Sequence, residues 1–94
     1  MARVIERDIT STVAEFDASL RAAAAGRIEG RASHYRIGWD DVMLEIDVVP
    51  GPERRIALLR LPTLRVTYRF VGGSEAAQRA LLARLDRAMH RGGG

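Results

Sequence analysis

The run Val42-Met43-Leu44-Glu45-Ile46-Asp47-Val48-Val49 decides the fold. Val42, Leu44, Ile46 and Val48 alternate with Met43, Glu45, Asp47 and Val49, so one side of an extended chain is wholly aliphatic while the other carries carboxylates. Successive side chains of a strand point to opposite faces, and this alternation belongs to a strand with one face buried. Upstream, residues 33–38 repeat the pattern, with Tyr35 and Ile37 opposite His34 and Arg36, and Trp39-Asp40-Asp41 forms the intervening turn. Downstream, Pro50-Gly51-Pro52 cannot continue a central strand, because proline lacks the N–H a ladder needs. A third strand is expected over 54–61, followed by a break at Pro62. Residues 64–71 send Leu64, Val66, Tyr68 and Phe70 inward and Arg65, Thr67 and Arg69 outward. Short links make these strands neighbours in an antiparallel meander.

Helices flank the meander. Thr12 and Glu15 form a T-x-x-E capping box, after which Val13, Phe16, Leu20 and Ala23 or Ala24 recur at helical spacing, giving a helix of about 13–25. Gly26 and Gly30 mark its end and a loop. Gly72-Gly73-Ser74 closes the sheet with Ser74 as N-cap, and Ala77, Leu81, Leu82, Leu85, Ala88 and Met89 line one side of a helix over about 75–90. Residues 2–9 read as an edge strand or as a lead-in to the first helix. Residues 1–91 make a single α+β domain, with Gly92–Gly94 as a flexible tail. If the first segment is a strand, the order is β-α-β-β-β-β-α, and a curved antiparallel sheet with both helices on one face is its economical packing. This order resembles the TATA-binding-protein-like, or helix-grip, architecture; the resemblance implies a long C-terminal helix lying across the concave sheet, with a related two-layer sandwich as the alternative.

Composition narrows the function classes. The chain has 94 residues, 47% hydrophobic and 29% charged, as in a globular domain. So short a domain is marginally stable alone, and oligomerisation is a common remedy. It contains no cysteine, so disulfide and thiol chemistry are excluded. No apolar run of about 18 residues and no signal-peptide core occur, which makes a cytoplasmic location the expectation. All 15 basic residues are arginine, set against 12 acids for a net charge of +3. A GC-rich coding bias accounts for that arginine as well as a polyanionic ligand does.

The third strand breaks the pattern of its neighbours. In RRIALLRL, Ile56 and Leu58 alternate with Ala57, Leu59 and Leu61, so both faces are apolar. Such a strand is usually buried on both sides. Ile56 and Leu58, joined by Met43, Val49 and Val71, therefore predict an apolar outer sheet face, and Met43, Ile56, Leu58 and Val71 are the candidate interface. Arg36, Arg60, Arg65 and Arg69 are the candidate anion or polyanion contacts. Trp39 and Tyr68 are the candidate ligand wall, although both also read as packing residues.

No catalytic set emerges. His34 and His90 lack zinc-ligand spacing, and no metal or cofactor site is expected. His34 suits a strand's solvent face and His90 a helix C-terminus. Asp40-Asp41 reads as a turn. No serine sits in a nucleophile-elbow context, and Gly72-Gly73-Ser74 is the one phosphate-like feature. The expected function is a non-catalytic binding or assembly module, homodimeric through its outer sheet face. A small apolar-ligand carrier and a nucleic-acid or polyanion binder are the alternatives. The expected partner is a second copy, with another protein next, nucleic acid less favoured, and no membrane.

Overall fold

A computed structural model describes residues 3–31 and 33–90. In chain order the elements are β1 (Arg3–Thr10), α1 (Val13–Ala24), β2 (Ile28–Arg31), β3 (His34–Trp39), β4 (Val42–Pro50), β5 (Arg54–Ile56), β6 (Leu59–Leu61), β7 (Thr63–Val71) and α2 (Glu75–His90). Five strands form one antiparallel sheet in the order β1-β7-β4-β3-β2, and β5 pairs with β6 in a separate hairpin. The α+β class and the antiparallel sheet backed by two helices are as the sequence implied. Residues 91–94, which include the whole glycine tail, and the side chain of His90 lie outside the described residues.

The alternation of β4 is realised in full. Leu44, Ile46 and Val48 stand in register with Phe70, Tyr68 and Val66 of β7, and all of them are buried. Residues 3–10 are a strand, paired with β7 from Arg3↔Phe70 to Thr10↔Thr63. That register turns Ile5, Arg7 and Ile9 toward the helices and Val4, Glu6 and Asp8 to the outer face. Both helices cover the inner face. Phe16 and Leu20 of α1 and Leu81 and Leu85 of α2 join the sheet's buried residues in one core, and the Phe16 and Tyr35 rings lie 6.2 Å apart. Each fully buried aliphatic or aromatic side chain contributes roughly 1.5–3 kcal/mol.

The capping box at Thr12 and Glu15 is formed in both directions, satisfying backbone donors that the first turn leaves free. Ser74 Oγ likewise accepts from the Ala77 N–H at 3.0 Å. Gln78, the polar residue of the core, donates its side-chain amide to the Gly72 carbonyl at 2.9 Å. Gly72 has a φ of +80, and a Cβ there would come within 2.7 Å of the Asp41 carbonyl oxygen. The β3–β4 turn and the β7–α2 link thus touch at one end of the sheet.

Two expectations are corrected. The stretch around Gly30, expected as loop, is edge strand β2. Ile28 stands opposite Ile37 and gives the strand an inward residue. Gly30, with φ +96 and the His34 carbonyl oxygen 2.3 Å from where a Cβ would sit, is the backbone's point of close approach rather than a break. The second correction concerns 54–61. It is not a sheet strand buried on both faces but two short strands that leave the sheet. The β4–β7 ladder ends at Pro50↔Leu64, and the N–H groups missing at Pro50, Pro52 and Pro62 keep it from running on.

Candidate functional site: the projecting arm and the outer sheet face

The β5–β6 hairpin is an arm beyond the end of β4 and β7. Its base is pinned: the Gly51 N–H donates to the Thr63 carbonyl at 2.8 Å, and the Ser11 N–H donates to the Pro62 carbonyl at 3.0 Å. The Thr63 hydroxyl donates to the Pro52 carbonyl at 2.6 Å. Prolines on both sides narrow the backbone freedom of this base. Beyond it, Gly51–Arg60 are exposed throughout. The cross-strand pairs are Arg54↔Leu61, Arg55↔Arg60 and Ile56↔Leu59. Ala57 turns the chain with a φ of 54, and Leu58 at the tip is 100% exposed, with Leu59 at 60% and Ile56 at 48%. An isolated two-stranded hairpin is marginal in water, and this one offers its aliphatic side chains to solvent.

The candidate interface residues therefore do not form one patch. Ile56 and Leu58 ride on the arm. Met43 and Val71 are cross-strand partners at the far end of the sheet, 38% and 45% exposed. From Met43 to Pro50 alone, β4 runs ~23 Å at ~3.3 Å per residue. Leu59, which is not among the candidate interface residues, belongs to the arm's exposed cluster; the prolines bracketing 53–61 are the sequence signal for it.

The outer sheet face is not apolar either. One cross-strand row reads Val4, Arg69, Glu45, Arg36, Glu29, and the next reads Glu6, Thr67, Asp47, His34, Arg31. The charges pair within these rows, between them, and in the next row, where Asp8 faces Arg65. Arg36 lies 3.6 Å from Glu45, Arg69 lies 3.8 Å from Asp47, and Arg65 lies 3.2 Å from Asp8. His34 sits between two carboxylates, Nδ1 at 2.6 Å from Asp47 and Nε2 at 3.6 Å from Glu45. The hydrogen bond that Arg65 donates to the Asp8 carboxylate holds its guanidinium above its ordinary pKa. Exposed pairs of this kind contribute little to stability; their larger effect is to balance the face electrically. Among the candidate anion contacts, Arg36, Arg65 and Arg69 share this face with acids, while Arg60 stands apart on the arm, 3.9 Å from Glu53. No cationic strip gathers them.

The candidate ligand wall is also divided. Trp39, half-buried at the end of β3, is covered by the guanidinium groups of Arg27 and Arg84 at 4.2 and 4.4 Å from its ring centroid. Tyr68 is buried in the centre of the sheet, and burial raises its phenol pKa. Arg7 lies over its ring at 5.7 Å and bonds Asp86 of α2 at 2.6 Å. Tyr68 pairs with Ile46 and Trp39 with Val42, a separation of ~13 Å along the strands. Between sheet and helices the space is filled by Tyr35, Phe70, Leu20, Ile37, Leu44, Ile46, Leu85 and Val66. Tyr35 donates its hydroxyl to Asp17 at 2.8 Å; burial, and then that hydrogen bond, push its pKa up to about 12.

Asp40 and Asp41 form the β3–β4 turn as expected, Asp40 with a φ of 54. Among the described residues no three His, Cys, Asp or Glu side chains are grouped as a metal site would need, and no helix is long and apolar enough to cross a membrane. No family model, no curated protein and no solved structure matches this chain.

Proposed function

We propose that this protein is a non-catalytic binding and assembly module that works in the cytoplasm as a homodimer, with the β5–β6 arm as its contact element. The observation that carries the reading is Leu58, fully exposed at the tip of a hairpin whose base is pinned by hydrogen bonds and proline while Ile56 and Leu59 beside it lie outside the core. A contiguous exposed apolar cluster marks an interaction surface, and an arm held at its base loses little freedom on docking. Self-association adds stability to a domain this short. The filled helix–sheet interface offers little room for a carried ligand, and the balanced outer face offers little pull on a polyanion.

Light scattering coupled to size exclusion, across micromolar concentrations, tests the reading. The expected mass is twice the 10.4 kDa of one chain, falling to a single chain in Leu58→Glu with circular dichroism unchanged. A wild-type monomer throughout would overturn the dimer, and a dimer that survives Leu58→Glu would remove the arm from it.

A further inference from the structure

We infer that the arm of one copy seats on the opposite pole of a second copy, over Met43, Val71 and Gly38 and beside Asp40 and Asp41, with the two chains antiparallel about a two-fold axis. This rests on the assembly reading above and names the surface that receives the arm.

Two exposed apolar features exist at opposite ends of the long sheet strands, in a molecule measuring 45 × 23 × 22 Å. One is the arm. The other is the Met43–Val71 pair. There the Met43 Sδ–Cε end lies over Gly38, its Cε 3.8 Å from where a glycine Cβ would stand, so the surface beside it is low and carries no competing side chain. Val4, diagonal to Val71 across β1 and β7, extends the apolar area. The arm cannot fold back on its own pole, since the ~23 Å of β4 between them is rigid sheet.

Charge selects the pairing. The arm carries Arg54, Arg55 and Arg60 against the single acid Glu53, which lies 3.7 and 3.9 Å from Arg55 and Arg60. Arg54 has no ion partner among the described residues. The pole carries Asp40 and Asp41, both exposed and likewise without an ion partner among them, while its cations Arg27 and Arg84 are held against the Trp39 ring. Arm against arm would press like charges together, whereas arm against pole joins opposite ones, with aliphatic side chains meeting in both cases. A single arm-to-pole contact joins different surfaces and would propagate without end. A two-fold axis across the long direction lets both arms dock at once and closes the assembly at two chains. The outer faces running between the docked ends carry both signs in alternation, so they tolerate each other.

The test is a charge exchange. An arm variant, Arg54→Glu with Arg55→Glu, and a pole variant, Asp40→Asn with Asp41→Arg, are each measured alone by light scattering, then mixed in equal amounts. Asparagine keeps the left-handed turn position accessible, and circular dichroism checks that both variants fold. Each variant alone is expected to lose dimerisation by about 100-fold or more in Kd. The mixture is expected to recover a dimer, because one copy's native arm meets a native pole while the reversed arm meets the reversed pole. A milder Asp41→Asn is expected to weaken the dimer less, and by a smaller factor as salt rises. A pole variant that dimerises like wild type, or a mixture that stays monomeric, overturns this placement of the arm. In that case the Leu58→Glu result still decides independently whether the arm mediates assembly.

Discussion

The same two chain segments behave in opposite ways a few residues apart. In the sheet, β4 and β7 pair antiparallel with one face packed under two helices; past Pro50 and Pro62, the continuing segments pair again as β5 and β6 with neither face in the core. Hydrogen bonding is alike in both ladders. Burial is not. The difference teaches that alternation, rather than apolar content, marks a core strand: β4 and β7 alternate and are buried, whereas RRIALLRL is apolar on both sides and is exposed from Arg54 to Arg60.

If body and arm divide the work in this way, substitutions should separate them cleanly. Phe70→Ala, deep in the body, should cost about 3–5 kcal/mol in denaturant unfolding, through lost transfer energy and the cavity left behind. Gly30→Ala should cost about 1–3 kcal/mol, because the left-handed backbone and the His34 carbonyl leave no room for a Cβ. A cost near zero would mean that β2 is not held against β3 as described.

Tyr35→Phe should cost about 1 kcal/mol by removing the hydrogen bond to Asp17, and it should alter the pH dependence in a defined direction. The folded phenol pKa is raised to about 12 from an ordinary value of 10.0, so its contribution is complete below about pH 10 and is lost as pH rises through about 12. The Asp17 carboxyl is held below its ordinary value, chiefly by Arg21 and then by Tyr35. Its contribution is therefore present above about pH 4 and lost as pH falls through the folded value. Unfolding free energies at pH 7, 10 and 12 check the first window, and Tyr35→Phe should flatten it.

The smallest effect on stability belongs to the arm. Leu58→Glu, compared at concentrations where both proteins are monomers, should stay within about 0.5 kcal/mol of wild type. A loss as large as that of Phe70→Ala would make the tip part of the folding core.

Legibility followed the same divide. The body could be read from period-two runs, the capping box and the glycine-serine helix start, since each is a local signal whose physical cause is local. Strand β2 is not legible: its Gly30 looks like a loop residue until the close approach to His34 is seen. The arm was misread because apolar residues on both faces of a short strand normally mean burial on both, and only Pro50, Pro52 and Pro62 hinted that the ladder stops. Arg36, Arg65 and Arg69 were correctly turned outward, but their matching with Glu45, Asp8 and Asp47 depends on cross-strand register, which periodicity does not specify. Trp39 and Tyr68, both candidate wall residues by sequence, are likewise separated by register.

Hydrogen–deuterium exchange at dilute and concentrated protein tests the arm's role most directly. Amides of 44–48 and 64–70 should be protected at both concentrations. Those of 54–61 should exchange quickly when dilute and slow markedly as the second copy covers them. Arm amides that exchange at one rate whatever the concentration would contradict assembly through the arm.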